Sequence, residues 1–320
     1  MRRAFIAFVA VALGSTLGWA QAVQVEPSIT AYQKTSGVSG NLSSVGSDTM
    51  NNLMTLWGES FAKMYPNVKI QVEGKGSSTA PPALIAGTAQ FGPMSRPMKP
   101  TEIDQFEKKF GYKPTMIRTS YDALAVYVNK DNPLEKATLA DVDGAFSKTR
   151  RRGGKNVSTW GGLGLTGDWA SRPVSLYGRN SASGTYGFFK EHVLSNGDYK
   201  DSVKEQPGSA SVVQGITSDR FGMGYSGIGY KTSGVKVLAL AEKSGGAFSS
   251  GSYEDVVSGK YPLARFLYLY VNKAPGKGLD PVVHEFLSLV LSREGQEIVV
   301  KDGYYPLPAK IVQEELAKLR

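Results

Sequence analysis

Apolar and polar positions alternate along this chain in runs that predict a mixed α/β protein. Asn41 to Val45 reads as a strand. Leu53, Trp57, Phe61 and Met64 then recur at helical spacing up to Pro66, which ends the helix. Lys69 to Glu73 alternates as a strand does. Pro81 and Pro82 suit the first turn of a helix that runs through Leu84 and Ile85 to Gly87. Thr101-Glu102-Ile103-Asp104 opens another helix in a capping-box-like pattern, with Ile103, Phe106 and Phe110 inward. Further on, Val174 to Tyr177 is a short strand followed by a helix with Phe189 and Val193 on one face. Phe221 to Gly227 is a glycine-punctuated core strand. Asp280-Pro281 caps an apolar helix, Val282 to Leu291, and a second helix from about Ser292 to Asp302 stops at Gly303.

Three of the predicted strand-to-helix turns are built alike: Ser47-Asp48-Thr49, Ser77-Ser78-Thr79 and Ser183-Gly184-Thr185. Small hydroxyl residues and glycine leave the first N–H groups of each helix unpaired at its positive end, which is an anion site. Arg179, just before the third turn, adds a rigid fork of donors matched to an oxyanion. For any one turn the plainer reading is a simple N-cap at Ser183 and a surface charge at Arg179. Three such turns, without nucleotide-type spacing, point to several helix N-termini converging on one anion. Gly74 and Gly76 lack the third glycine of a dinucleotide motif.

Two strands, Ala125 to Lys130 and Tyr268 to Lys273, both end in Val-Asn-Lys and are read as the segments that cross between two lobes. Lobe I is then residues 41–129 plus 265–320, and lobe II is residues 130–264. The turns at Ser47 and Ser77 fall on the first lobe and Arg179 to Thr185 on the second, so a ligand would be enclosed between hinged lobes.

Composition narrows the class. Among 320 residues there is no cysteine, which excludes a disulfide framework and lipid attachment through an N-terminal cysteine. Residues 1–22 read as a secretory signal peptide: basic Arg2 and Arg3, a short apolar run from Ala4 to Leu13, and an Ala20-Gln21-Ala22 cleavage site. Residues 23–40 are polar and read as a flexible lead. The expected location is the periplasm, without a lipid anchor. Loss of the signal takes the net charge from +9 to +7, a balance that suits an anionic ligand. Arg150 to Arg152 form a basic loop tip without the interleaved aromatics of a nucleic-acid groove, so no nucleic-acid partner is expected.

With these residues in place, the chain resembles the periplasmic phosphate-binding proteins of Pst-type ABC importers, a group of type II periplasmic binding proteins. The resemblance covers nearly all of residues 40–308. It is sharpest at Arg179-Asn180-Ser181-Ala182-Ser183-Gly184-Thr185-Tyr186-Gly187-Phe188-Phe189, and is supported by Gly74-Lys75-Gly76-Ser77-Ser78, Ser292-Arg293-Glu294-Gly295-Gln296 and Gly303-Tyr304-Tyr305-Pro306-Leu307-Pro308. It implies a two-lobed fold, each lobe a mixed sheet flanked by helices, with two crossover segments as hinge. It also implies capture of inorganic phosphate and delivery to an inner-membrane ABC permease by a monomer. Arg179, Ser183, Gly184 and Thr185 would hold phosphate from lobe II and Ser77 from lobe I. Asp48 and Thr49, beside Ser47, occupy the ligand-contacting positions of the first turn.

One departure matters. Familiar members carry an aspartate shortly after the Phe-Gly of the next loop, where it accepts the ligand's proton; here Ser95 stands there, followed by Arg96. A serine brings no charge, so Asp48 is the candidate to replace that acceptor and to separate protonated phosphate from sulfate. The alternative is that Asp48 only caps its helix. Arg96 is either a further donor to the ligand or the partner of a surface carboxylate.

An enzyme is not expected. The two histidines, His192 and His284, fall on predicted helices, and no metal spacing, nucleophile elbow or paired carboxylates occur, so neither a metal nor a cofactor is implied. Two other readings stay open: a secreted surface or matrix protein of the same fold acting in adhesion, and a binder of another tetrahedral oxyanion such as sulfate.

Overall fold

A computed structural model describes residues 23–320; the signal peptide expected over 1–22 lies outside the described residues. In chain order the strands are β1 (Gly40–Val45), β2 (Val68–Glu73), β3 (Gly92–Met94), β4 (Thr115–Asn129), β5 (Lys136–Thr138), β6 (Ser175–Arg179), β7 (Lys204–Gln206), β8 (Gly222–Gly227), β9 (Val235–Val237), β10 (Ala239–Ala241) and β11 (Ala264–Val271). The helices are α1 (Asn51–Met64), α2 (Ala80–Ala86), α3 (Pro100–Phe110), α4 (Leu139–Phe146), α5 (Gly184–His192), α6 (Ser209–Ser218), α7 (Tyr253–Val257), α8 (Pro281–Val290), α9 (Arg293–Lys301) and α10 (Ala309–Ala317).

Two large apolar cores, each with a smaller satellite cluster beside it, underlie the two lobes. One gathers Leu53, Trp57 and Phe61 of α1 with Phe286, Leu287 and Val290 of α8 under β1 and β11. The other gathers Val142 and Phe146 of α4, Phe189 of α5 and Tyr225 of β8 under the second half of β4. The apolar stripe of α1 is thus core, as its spacing predicts; Trp57 is fully buried and its indole N–H donates to the Gly295 carbonyl at 2.9 Å.

A single path of strands, β3-β11-β4-β8-β6-β7, joins the two cores. The long strand β4 changes partners along its length. Thr115 to Ala123 pair antiparallel with β11, and Leu124 to Val128 pair antiparallel with β8. The chain therefore crosses in the middle of β4, and returns at the start of β11, where Ala264 pairs with Ala123. This corrects the reading of the strands Ala125 to Lys130 and Tyr268 to Lys273 as the crossing segments: both crossings precede them, and their Val-Asn-Lys ends lie farthest from the switch. At those ends the asparagines tie down neighbours. Asn129 donates to the Ile216 and Thr217 carbonyls at the end of α6, and Asn272 accepts from the Tyr112 hydroxyl.

Residues 23–40 also depart from expectation. Instead of a loose lead they lie packed across α8 and α9. Ile29 is fully buried in the first core. The Arg293 guanidinium donates to the Ile29 and Pro27 carbonyls at 3.1 and 2.8 Å, and the Tyr32 hydroxyl donates to Glu285 at 2.7 Å. A polar composition conceals one fully buried anchor, Ile29, three partly buried ones, Val25, Tyr32 and Val38, and backbone acceptors matched to Arg293. Among the described residues no helix is long and apolar enough to cross a membrane.

Candidate functional site

The three hydroxyl turns meet. β1 delivers Ser47 to a helical turn over Asp48–Met50 that continues into α1, and β2 delivers Ser77 to a turn that continues into α2. β6 ends on Arg179 and leads through Ser183, the N-cap of α5, whose hydroxyl accepts from the Tyr186 N–H. The hydroxyls of Thr49 and Thr185 lie 2.8 Å apart. The Ser78 N–H donates to the Ala182 carbonyl at 3.1 Å. Ser77 and Ser95 pack against Gly184, and the Ser95 N–H donates to the Ser77 hydroxyl at 3.0 Å.

Glycine is required at two places in this contact. A Cβ on Gly184 would lie 2.2 Å from Ser77 Oγ and 2.6 Å from Ser95 Oγ. Gly76 has φ +115 and its missing Cβ would lie 2.5 Å from the Ala182 carbonyl oxygen. Both let the backbones of the two lobes close on each other.

Arg179 is 2% exposed. Its Nη1 donates to Ser209 Oγ at 2.7 Å and lies 3.0 Å from Asp48 Oδ2, and its Nη2 donates to the Pro207 carbonyl. Asp48 Oδ2 also accepts the Ser209 N–H at 2.7 Å, at the N-terminus of α6. Asp48 thus comes from the first lobe and meets two donors of the second. The Tyr230 hydroxyl adds a third tie across the cleft, to the Asp48 carbonyl. Two buried donors, the Ser47 hydroxyl and Arg179 Nε, have no partner among the described residues. Such groups cost about 1–3 kcal/mol unless something accepts from them, and an oxyanion between the lobes would.

Arg96 lies at the rim with a different duty. Both its terminal nitrogens bind the Glu102 carboxylate, at 2.8 and 2.7 Å, and one also donates to the Ser78 hydroxyl. The guanidinium is committed to α3's first turn. His192 packs at a tilt against Phe188 beside the same rim, where burial lowers its pKa. His284 sits beside Glu285 on α8, away from the cleft.

A PBP superfamily domain matches residues 31–294 of the chain. The chain is 57% identical to the phosphate-binding protein PstS of Pseudomonas aeruginosa, over 100% of its own length and 99% of that protein's. This chain belongs to the PBP superfamily, in the family of PstS. Protein SphX of Synechococcus elongatus is 28% identical over 89% of this chain and 83% of its own. Among solved structures, a possible phosphate binding protein from Planctomyces limnophilus superposes with a TM-score of 0.64 at 26% identity, covering 88% of this chain and 99% of that one. A putative phosphate ABC transporter substrate-binding protein from Clostridium perfringens, with bound phosphate, gives 0.71 at 21% identity, covering 84% and 100%; that likeness is one of fold.

Within this family frame, three elements of the cleft escape a reading by local pattern. The first is a fourth turn, Pro207-Gly208-Ser209, which brings the N-terminus of α6 to Asp48. Its signal is a small-residue cluster before the apolar positions Val212, Val213 and Ile216. The other two are Arg265 and Asp122. Arg265 Nε and Nη2 both bind Asp122 Oδ2, at 2.8 and 2.6 Å, and Nη2 reaches Thr185 Oγ1 at 3.0 Å. Arg265 is the lone charge in the otherwise apolar β11, a signal that would have found it, whereas Asp122 shares β4 with Arg118 and carries no such signal.

Proposed function

We propose that this protein captures inorganic phosphate between its two lobes in the periplasm and delivers it to an inner-membrane ABC permease. The observation that carries the reading is the convergence of hydrogen-bond donors from both lobes, with Thr49 against Thr185 and Gly184 against Ser77 and Ser95. The relatives named for phosphate binding support it.

In this reading the pairing switch within β4 is the inner edge of the hinge, so lobe I is residues 41–123 plus 265–320 and lobe II residues 124–264, a boundary a few residues earlier than the 129/130 expected from the sequence. Ser47, Asp48, Thr49, Ser77 and Ser95 hold the ligand from lobe I. Arg179, Ser183, Gly184 and Thr185 hold it from lobe II, the last two through N–H groups that an α-helix leaves without an internal acceptor. Arg96 braces the rim through Glu102. Asp48 accepts the proton that phosphate carries and sulfate lacks. Binding shifts the population toward the closed form, because contacts from both lobes to one ligand exist only there. No step of catalysis is involved; capture is reversible and the protein acts as a monomer.

Calorimetric titration of the protein with phosphate, sulfate and arsenate tests the reading. Phosphate should bind with micromolar or tighter affinity and sulfate far more weakly. Failure to bind phosphate, or equal binding of sulfate, overturns it.

A further inference from the structure

Arg265 enters the cleft from the start of β11 and is 5% exposed. Its donors tie together three separate segments. Two go to Asp122 at the crossing point of β4. Nη1 goes to the Ser95 carbonyl at 2.9 Å, and Nη2 also reaches the Thr185 hydroxyl in the first turn of α5, at 3.0 Å. Asp122 is itself held in place, because its Oδ1 accepts the Ile228 N–H at 3.0 Å.

The chemistry of these partners fixes the direction of the hydrogen bonds. A guanidinium only donates, whereas a hydroxyl has one hydrogen and two lone pairs. With one lone pair of Thr185 committed to a cation, its O–H is polarised into a stronger donor. Thr49 Oγ1 lies 2.8 Å from Thr185 Oγ1. Whichever threonine passes its hydrogen to the other, the pair keeps one hydrogen for an oxygen lodged between the lobes. When Thr49 is the donor, both lone pairs of Thr185 are taken, by Thr49 and by Arg265, and a ligand hydrogen aimed at Thr185 would meet only hydrogen.

We propose that Arg265 is a positioning residue that occupies an acceptor site of Thr185, leaves that hydroxyl a hydrogen-bond donor toward the ligand, and so selects an unprotonated oxyanion oxygen beside it. The inference rests on the reading of the cleft as a phosphate site and deepens it. It assigns the ligand's protonation preference to a buried ion pair that need not touch the ligand, and it leaves Asp48 as the acceptor for the single proton of hydrogen phosphate.

The test is the pH dependence of phosphate affinity, measured by calorimetry across the second ionisation of phosphate. The wild-type protein should bind hydrogen phosphate in preference to dihydrogen phosphate, so affinity rises with pH over this range. In the paired variant Arg265→Met with Asp122→Asn, which leaves no buried charge uncompensated, Thr185 regains a free lone pair. That rise should shrink by about tenfold, the size of one hydrogen bond lost or reversed. Thr185→Val leaves the ion pair intact and removes the hydroxyl, and should flatten the profile in the same way. It carries the test if the paired variant does not fold, as judged by its thermal unfolding. Variants that fold, bind phosphate and keep the wild-type pH profile overturn the inference. A wild-type protein that does not bind phosphate instead overturns the underlying reading of the cleft.

Discussion

Replacing Gly184 with alanine adds one methyl group where the structure has no space for it, and only when the lobes are closed. Gly184 is the first residue of α5, with no left-handed strain, so alanine is a good helix former there and the separated lobes should tolerate it. In the closed arrangement the new Cβ would lie 2.2 Å from Ser77 Oγ, 2.6 Å from Ser95 Oγ and 2.9 Å from Ser77 Cβ. Rotating the hydroxyls relieves the first two contacts. The third requires a backbone shift, because Ser77 begins the turn that leads into α2. Overpacking of this kind costs about 1–3 kcal/mol. Because the clash falls on the closed form alone, it should appear almost wholly in ligand affinity, as a loss of about 10- to 100-fold. Phosphate titration by calorimetry reads the affinity, and thermal unfolding without ligand reads the fold. The expected pair is weakened binding with an unfolding midpoint equal to or slightly above the wild type. Wild-type affinity in Gly184→Ala would refute the claim that these two turns meet around the ligand. Gly76→Ala is the contrasting control: its φ of +115 strains alanine in any state, so it should destabilise the free protein as well.

Asp48→Asn keeps an oxygen for the Ser209 N–H but removes the charge beside Arg179, and it should reduce the phosphate-over-sulfate affinity ratio by at least about 100-fold; an unchanged ratio in competition titrations would mean Asp48 only caps α6. Arg152→Ala should lower stability by about 1–2 kcal/mol in urea unfolding, because its guanidinium binds the His192 and Val193 carbonyls at the C-terminal end of α5 and also reaches Glu242. Its phosphate affinity should stay near wild type. Burial raises the Asp302 carboxyl from its ordinary 3.8 to about 6, against the opposing hydrogen bond from Asn52. Protonation therefore favours the folded state: that contribution is full below about 3.8 and is lost as pH rises through about 6. Asp302→Asn should remove this slope from stability measured across the same window, and an unaltered slope would place its origin elsewhere.

What the sequence conveyed most directly was local. The stripe of Leu53, Trp57 and Phe61 gives α1 because one helical face must be buried whatever packs on it, and the Ser183 cap gives the start of α5 because its partner is three residues away. The likeness of three turns was enough to place three segments at one cleft. Pairings between distant segments were harder to see. Arg96 and Arg179 are each an arginine beside small residues, yet Arg96 turns to Glu102 on the adjoining helix while Arg179 meets Asp48 from the other lobe. No local pattern separates the two outcomes, because each depends on which carboxylate the fold brings within reach. The same holds for the lead: Ile29 reads as one of a few scattered apolar residues in a polar stretch until the first core it enters is known.

The three arginines around the cleft share one property that bears on how an anion is held. Arg179 faces Asp48, Arg265 faces Asp122, and Arg96 faces Glu102. Each buried cation carries its own carboxylate, as it must when desolvation would otherwise outweigh its benefit. An anion entering between them therefore meets no surplus positive charge. In the proposed site its stabilisation would come from the one Arg179 donor left without a protein partner, Nε, and from oriented dipoles: the hydroxyls of Ser47, Thr49, Ser77 and Thr185, and the N–H groups at the starts of the helices. Such groups are fixed by the fold before the ligand arrives and are buried once the lobes close, so little reorganisation is needed at the moment of capture. A site of this kind should bind with an affinity only weakly dependent on ionic strength, because the interactions are short-ranged and shielded from solvent. The ion pairs of Arg179 and Arg265 then serve to aim donors, Nε of Arg179 toward the ligand and the Thr185 hydroxyl in the role argued for Arg265, rather than to supply net charge.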